Sequence, residues 1–123
     1  MLQTLARQAD TRNDAPKARP STERPIDLVH LASQTLGDRE LEREILALMA
    51  RQVEQCAARL ELASEAERGA LAHALKGSAR NVGAFALADA AQAVEDHPAA
   101  AAALAAMREE IGRARDFIGS LLR

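Results

Sequence analysis

Apolar residues recur at helical spacing from about residue 26 to the end of the chain, and this pattern predicts five helices. Asp27 is placed to cap a short first helix that Gly37 ends, with apolar positions at Leu28, Leu31 and Leu36. Asp38 is placed to cap a second helix of about 24 residues, roughly 36 Å long. The buried stripe predicted for this helix runs through Leu41, Ile45, Leu48, Gln52, Gln55 or Cys56, and Arg59 or Leu60, and is widened by Met49 and Val53.

The third predicted helix spans residues 65–82 between clear start and stop signals. Ser64 and Glu67 have the spacing of a capping box, and Gly83 is placed to end the helix. The apolar positions repeat at i, i+4, i+7 and i+11, which predicts a buried stripe of Leu71, Leu75, Ser78 and Val82.

His73 is expected on the water-facing side of this third helix. At about 100° per residue, it lies roughly 160–200° away from Leu71 and Leu75. The residues that share its face are Lys76, Gly77 and Arg80. The pattern therefore predicts an exposed histidine with a lysine one turn away and a glycine beside the ring.

The rest of the chain predicts two more helices and completes the fold class. An alanine-rich helix over residues 84–96 buries Leu87, Ala91 and Val94. His97 and Pro98 interrupt it, and Pro98 is expected as the first residue of the last helix. The brief connections predict an all-α fold, an antiparallel four-helix bundle with an additional short N-terminal helix. The apolar positions of the last helix are Leu104, Met107, Ile111, Ala114, Ile118 and Leu121.

Residues 1–24 differ in character from the remainder. They are polar, two prolines lie at Pro16 and Pro20, and Pro25 follows directly. Such a segment buries too little apolar surface to offset its ordering entropy. We expect a flexible N-terminal tail, in which Leu2 and Leu5 add at most a short helical turn, and a folded domain over residues 25–123.

Composition excludes several classes of function. The net charge is −2 and aromatic residues make up 2% of the chain, which argues against a nucleic-acid binder. The single cysteine, Cys56, allows no internal disulfide and fits a reducing cytoplasm. No apolar run approaches the roughly 20 residues of a membrane span, and the start of the chain lacks a secretion signal. We expect a soluble, cytoplasmic protein of bacterial type.

The run His73-Ala74-Leu75-Lys76-Gly77-Ser78, followed by Gly83-Ala84 and then by Leu87 and Glu95, resembles the signature of histidine-containing phosphotransfer (HPt) domains. These domains are small helical bundles of multistep two-component signalling. The resemblance covers the chain apart from its N-terminal tail. It implies phosphoryl transfer through a phosphohistidine.

The resemblance assigns roles to residues of the third helix. His73 is the expected phosphoacceptor, because a neutral imidazole has a free lone pair that can attack an acyl phosphate on a partner's aspartate. Lys76 is expected to stabilise charge on the phosphate oxygens, and Gly77 to leave room for the phosphoryl group. Arg80 is expected to contact the partner or the phosphate. Ser78 belongs to the motif and is assigned to the partner contact, although its inward position favours packing or an i−4 backbone bond.

The resemblance also implies partners. These are response-regulator receiver domains and a hybrid histidine kinase, and the docking surface is expected to include the exposed side of the second helix. No cofactor is expected on this chain, and Mg²⁺ is expected on the receiver domain. The sequence contains no Walker-type or kinase-type nucleotide motif. We therefore expect a monomeric, stoichiometric phosphocarrier rather than an enzyme in the strict sense.

Other interpretations remain open at this point. A histidine-kinase dimerisation module would follow its histidine with an acidic residue and a nearby proline, whereas Ala74 follows here and no proline lies between Pro25 and Pro98. A helical adaptor without phosphotransfer would lack the histidine or carry a bulky residue at Gly77. Oligomeric state distinguishes the first alternative, and phosphorylation distinguishes the second.

Residues outside the motif are expected to have structural roles. His30 is interpreted as structural or solvent-facing, and His97 as a capping residue beside Pro98. Glu95 is expected to serve the bundle rather than the chemistry. The histidines are too scattered, and Cys56 lies too deep in a core pattern, for a metal site.

Overall fold

The computed structural model describes residues 24–123, in which five α-helices and no strand occur. This confirms the predicted all-α fold. The predicted tail lies outside the described residues except for Arg24, as do Leu2 and Leu5. The helices are α1 (Leu28–Thr35), α2 (Arg39–Leu60), α3 (Glu65–Val82), α4 (Phe85–Asp96) and α5 (Ala101–Leu122).

The four longer helices form a bundle in which chain neighbours are neighbours in space. Short connections make α2 to α5 run antiparallel in turn, α5 closes the bundle against α2, and α1 packs on α2 and α3. Within residues 24–123, no helix is long and apolar enough to cross a membrane.

The core is aliphatic, and small residues line the contact between α3 and α4. Ala72 and Ala79 of α3 and Ala88 and Ala91 of α4 are buried, so the two helices can approach closely. Larger apolar side chains fill the remaining volume, each fully buried one contributing about 1.5–3 kcal/mol. They include Leu60, Leu75, Leu87, Met107, Ile111 and Ile118.

Capping residues set the ends of the helix that carries His73. The Ser64 side chain accepts the N–H of Glu67, and the Glu67 side chain accepts the N–H of Ser64. At the other end, Gly83 has a φ of 92°, and a Cβ there would lie 2.9 Å from the Asp27 carbonyl oxygen. Glycine at this turn thus allows both the left-handed backbone and the docking of α1. The predicted bounds of this helix are confirmed.

The first helix ends earlier than predicted. Asp27 caps it as expected, accepting the N–H groups of Val29 and His30. However, α1 stops at Thr35, Leu36 has a φ of 55°, and its side chain is 94% exposed. The prediction that Leu36 is an apolar position of the helix is wrong. The chain must turn before Asp38, which caps α2, so Leu36 leaves the helix together with Gly37.

The predicted buried stripe of α2 is confirmed at Met49, Val53, Cys56 and Leu60 and is wrong at Leu41 and Leu48. Leu48 is 57% exposed and Leu41 39% exposed. The core instead takes the neighbouring face, because that face is apolar at every position, whereas the predicted stripe contained glutamine and arginine. The side chains that α2 buries are Leu46, Met49, Val53, Cys56 and Leu60.

A smaller rotation separates the predicted and observed stripes of α3. Leu71 and Ser78 are only half-buried, whereas Ala72 and Ala79 are buried beside Leu75 and Val82. The close approach of α4 explains this shift, because it brings the alanine face of α3 into the core.

The last helix begins after Pro98 rather than at it. Ala100 donates its N–H to the His97 carbonyl, and α5 starts at Ala101. Pro98 therefore belongs to the turn, where its carbonyl accepts a hydrogen bond from Arg68. The predicted apolar positions of α4 and α5 are confirmed, except that Leu121 is half-buried.

Candidate functional site

His73 lies on the surface of α3, at the side that faces α4. Its side chain is 68% exposed, and Nδ1 lies 2.7 Å from Oε2 of Glu95. The prediction of an outward-pointing histidine is confirmed. In the described residues, the side-chain partners of His73 and Lys76 come from α4. That the docking surface includes the exposed side of α2 stays a prediction.

Lys76 lies one turn after His73 and is largely covered, with 14% of its side chain exposed. Its ammonium donates to Oε1 of Glu95 at 2.6 Å and to Oε1 of Gln92 at 2.9 Å. Lys76 and His73 therefore contact different oxygens of one carboxylate. Glu95 links the imidazole to the Lys76 ammonium.

The electrostatics of this cluster keep Glu95 ionised. The hydrogen bond from Lys76 is the main cause that lowers the pKa of the Glu95 carboxyl below its ordinary value of 4.5. The hydrogen bond with His73 lowers this pKa further, against a smaller opposing effect of desolvation. Near neutral pH, Glu95 is a carboxylate and only accepts hydrogen bonds.

The ionised carboxylate determines the tautomer of a neutral His73. Because Glu95 cannot donate, Nδ1 must carry the proton and donate it to Oε2. The lone pair of the neutral ring is then on Nε2, the nitrogen that does not bond to Glu95. This arrangement gives an exposed side chain one nucleophilic nitrogen and holds the ring through the other.

Gly77 leaves the surface beside His73 open. A Cβ at Gly77 would meet no heavy atom within 4 Å, so no packing contact requires a glycine there. Side chains of an α-helix lean toward its N-terminus, so a side chain at position 77 would cover the residue four positions earlier, which is His73. The geometry agrees with the role of steric access that the sequence predicts.

The other two motif residues lie further from the imidazole. Arg80 is exposed on the side of α3 that carries His73, one turn beyond Lys76. Ser78 is half-buried and lies about 140° around α3 from His73. The partner-binding roles of both residues stay predictions.

Glu95 and Gln92 are two residues of the site that the sequence pattern did not predict there. Glu95 contacts the candidate phosphoacceptor across 22 positions of the chain, although we expected it to serve the bundle. One signal was present. Gln92, Glu95 and Asp96 stand at i, i+3 and i+4 on an otherwise alanine-rich helix, a spacing that places polar side chains on one edge.

The remaining histidines belong to the scaffold. His30 Nε2 lies 3.2 Å from the carbonyl oxygen of Asn81, and its ring packs edge-on against Phe85 at 5.1 Å. His97 is the C-cap of α4 and donates its backbone N–H to Ala93. In the part of the chain that the structure describes, no three His, Cys, Asp or Glu side chains form a metal-ligand cluster.

Comparison with known families agrees with this geometry. The family model of the Hpt domain matches residues 40–117, which is more than half of the chain. The matched range includes His73, Lys76, Gly77 and Glu95, and it begins after α1. Neither a curated protein nor a solved structure matches the chain. The family match and the arrangement around His73 lead to one conclusion: the chain belongs to the Hpt domain family.

Proposed function

We propose that this protein is a phosphocarrier that accepts a phosphoryl group on Nε2 of His73 and passes it on to an aspartate. Membership of the Hpt family associates the chain with histidine phosphotransfer in phosphorelays. The observation that carries the specific proposal is the bond of 2.7 Å between His73 Nδ1 and Glu95, which leaves Nε2 as the nucleophile on an exposed side chain.

The transfer step follows from this arrangement. The Nε2 lone pair attacks the phosphorus of an aspartyl phosphate, an N–P bond forms, and the P–O bond to the aspartate breaks. The partner's carboxylate leaves with the bonding electrons, and the ring becomes a phosphorylated imidazolium. Glu95 accepts the hydrogen bond from Nδ1–H and stabilises the developing positive charge. In the return step a carboxylate oxygen of the accepting aspartate attacks the phosphorus, a P–O bond forms, and the electrons of the N–P bond go back to Nε2.

Lys76 and a cation on the partner together neutralise the negative charge of the phosphate oxygens. Phosphoryl transfer depends mainly on positioning and on cations near the phosphate oxygens. Lys76 supplies an ammonium one turn from His73, and Mg²⁺ is assigned to the receiver domain. This chain is assigned no metal or other cofactor, and it is regenerated in each cycle rather than acting as a kinase.

The docking surface proposed here surrounds His73 on α3 and α4. Because Gly77 has no side chain, nothing projects from this surface beside His73, and Arg80 provides a positive charge at its edge. The partners are receiver domains and a hybrid histidine kinase. We place docking on the α3–α4 side because both polar residues around His73 and Lys76 come from α4.

Transfer of radiolabel from a phosphorylated receiver domain with Mg²⁺ tests the proposal. Wild type is expected to acquire an acid-labile, base-stable label, and His73→Gln none. Lys76→Ala is expected to be labelled more slowly. His97→Gln is the matched control, because it removes another exposed histidine and should label normally.

Two results would contradict the proposal. Label on His73→Gln would move the phosphoacceptor elsewhere. Failure of several receiver domains to label a wild type that circular dichroism shows to be helical would favour the adaptor interpretation. Sedimentation addresses the remaining alternative, since a kinase dimerisation module must be a dimer.

A further inference from the structure

Gln92 connects the cluster around His73 to a second carboxylate. It lies one turn before Glu95 on α4, and its Oε1 accepts a hydrogen bond from Lys76 at 2.9 Å. Its Nε2 donates to Oδ1 of Asp96 at 2.8 Å. Asp96, Gln92, Lys76, Glu95 and His73 therefore form one continuous chain of hydrogen bonds across α3 and α4.

The direction of each bond in this chain is determined by chemistry. Lys76 only donates, so it requires the oxygen of the Gln92 carboxamide. The Asp96 carboxylate oxygen accepts from the nitrogen of the carboxamide. Because both ends of the carboxamide are assigned, Asp96 holds Gln92 in the orientation that Lys76 needs. The opposite orientation would place an NH₂ group against the ammonium.

Gln92 binds one of the N–H groups of the Lys76 ammonium. An ammonium has three N–H groups. Glu95 takes one and Gln92 takes another, so one N–H is left for a phosphate oxygen. Meanwhile Glu95 uses one oxygen for Lys76 and the other for His73. Neither existing bond must break for Lys76 to contact a phosphoryl group.

We propose that Gln92, oriented by Asp96, is a positioning residue for phosphotransfer that holds the Lys76 ammonium between Glu95 and the phosphoryl group. This inference rests on the proposed function and extends it to residues outside the motif around His73. With Gln92 in place, the ammonium has two anchors on α4. Without it, Lys76 keeps only Glu95 and samples positions away from the transferred group.

A small phosphodonor tests the inference without a protein partner. In the reaction with phosphoramidate, His73 Nε2 forms the N–P bond, the original P–N bond breaks, and ammonia leaves. Gln92→Met keeps the length of the side chain and removes its hydrogen bonds. We expect labelling to slow about fivefold, which corresponds to one hydrogen bond of ordinary net strength. Asp96→Ala should slow it by a smaller factor.

A double-mutant cycle separates positioning from a general structural role. If Gln92 acts through Lys76, Gln92→Met should have no further effect in a Lys76→Ala background. Gln34→Met on the exposed side of α1 is the matched control, and its rate should equal that of wild type. Thermal unfolding of each variant measures any change in stability separately.

The outcomes distinguish the two proposals. A wild type that is not labelled on His73 would contradict the proposed function itself. A labelled wild type with an equal rate for Gln92→Met would overturn the positioning role alone. So would an undiminished effect of Gln92→Met in the Lys76→Ala background, since Gln92 would then act independently of the lysine.

Discussion

Among single residues, Gly77 lowers the stability of the helix that carries it. A helix with glycine at an interior position is less stable by about 1 kcal/mol than one with alanine there, and a Cβ at Gly77 would meet no neighbouring atom within 4 Å. We therefore expect Gly77→Ala to raise the free energy of unfolding by about 0.5–1 kcal/mol, measured by urea denaturation. Gly77→Gln should instead abolish labelling by a phosphorylated receiver domain, because its side chain covers His73.

Gly69 on the same helix is the matched control for stability, because a Cβ there would also meet nothing within 4 Å. Gly69→Ala should raise the free energy of unfolding by a similar amount. Gly119 on α5 is the control for labelling, because a Cβ there would meet nothing closer than the Arg123 guanidinium at 3.8 Å, and α5 does not carry the cluster around His73. Gly119→Gln should leave labelling at the wild-type rate. Normal labelling of Gly77→Gln would show that the glycine has no role in access.

Glu95 has a measurable signature in the pH dependence of stability. Its pKa is lowered in the fold, chiefly by Lys76, so below 4.5 the unfolded state binds the proton more readily than the folded state. The stabilisation by Glu95 is fully present above its ordinary pKa of 4.5 and is lost as the pH falls through the lower folded value. Urea midpoints of wild type and Glu95→Gln should therefore converge as the pH is lowered from 7 to 3.

The same variant should slow phosphotransfer, since a neutral carboxamide at this position stabilises an imidazolium less than a carboxylate does; a loss of about tenfold is expected. Glu54→Gln, at an exposed position of α2, is the control for loss of one negative charge. A difference in urea midpoint between wild type and Glu95→Gln that stays constant down to pH 3 would contradict the ion pair between Glu95 and Lys76.

At the scale of helices, local signals predicted both ends of α3 but not the end of α1 or the start of α5, and they predicted buried faces only in part. The capping box and Gly83 predicted α3 to the residue, because these signals act within one turn. The face of α2 depends on which neighbours it packs against. Leu41 and Leu48 fit a helical repeat as well as Met49 and Val53 do, and only the bundle selects between the two stripes.

The candidate site was predictable on α3 and not on α4. His73, Lys76 and Gly77 lie within one turn of each other, so helical geometry alone places them together. Their contacts with Gln92 and Glu95 depend on the register between two helices. That register is set by the buried alanines of α3 and α4, a property of packing that spacing along the chain does not contain.

For the molecule as a whole, each helix of the bundle carries buried side chains on one side and exposed side chains on the other. Ala72 and Leu75 of α3 are buried beside His73 and Lys76, which face outward or toward the edge of α4. Because Ala72 and Leu75 are packed in the core, they fix the part of the α3 backbone that carries the imidazole of His73. A phosphocarrier that meets successive partners benefits from such a preformed surface.

Cys56 reports on whether the whole bundle opens as one unit. Its side chain is 5% exposed within α2, and burial raises the pKa of the thiol, with Arg59 opposing this effect weakly. Reaction with a disulfide reagent requires an accessible thiolate, so labelling at neutral pH should follow global unfolding. We expect protection of at least about 10³-fold relative to the unfolded chain, and a dependence on urea equal to that of unfolding measured by circular dichroism.

A second cysteine position provides the control for this experiment. Ala58 is exposed on the same helix. Ala58→Cys in a Cys56→Ala background should therefore be labelled at the rate of an unprotected thiol. Rapid labelling of Cys56 in native buffer, with helical content unchanged, would contradict cooperative opening. It would mean that α2 opens locally from α3 and α5, against which it packs, without global unfolding of the bundle.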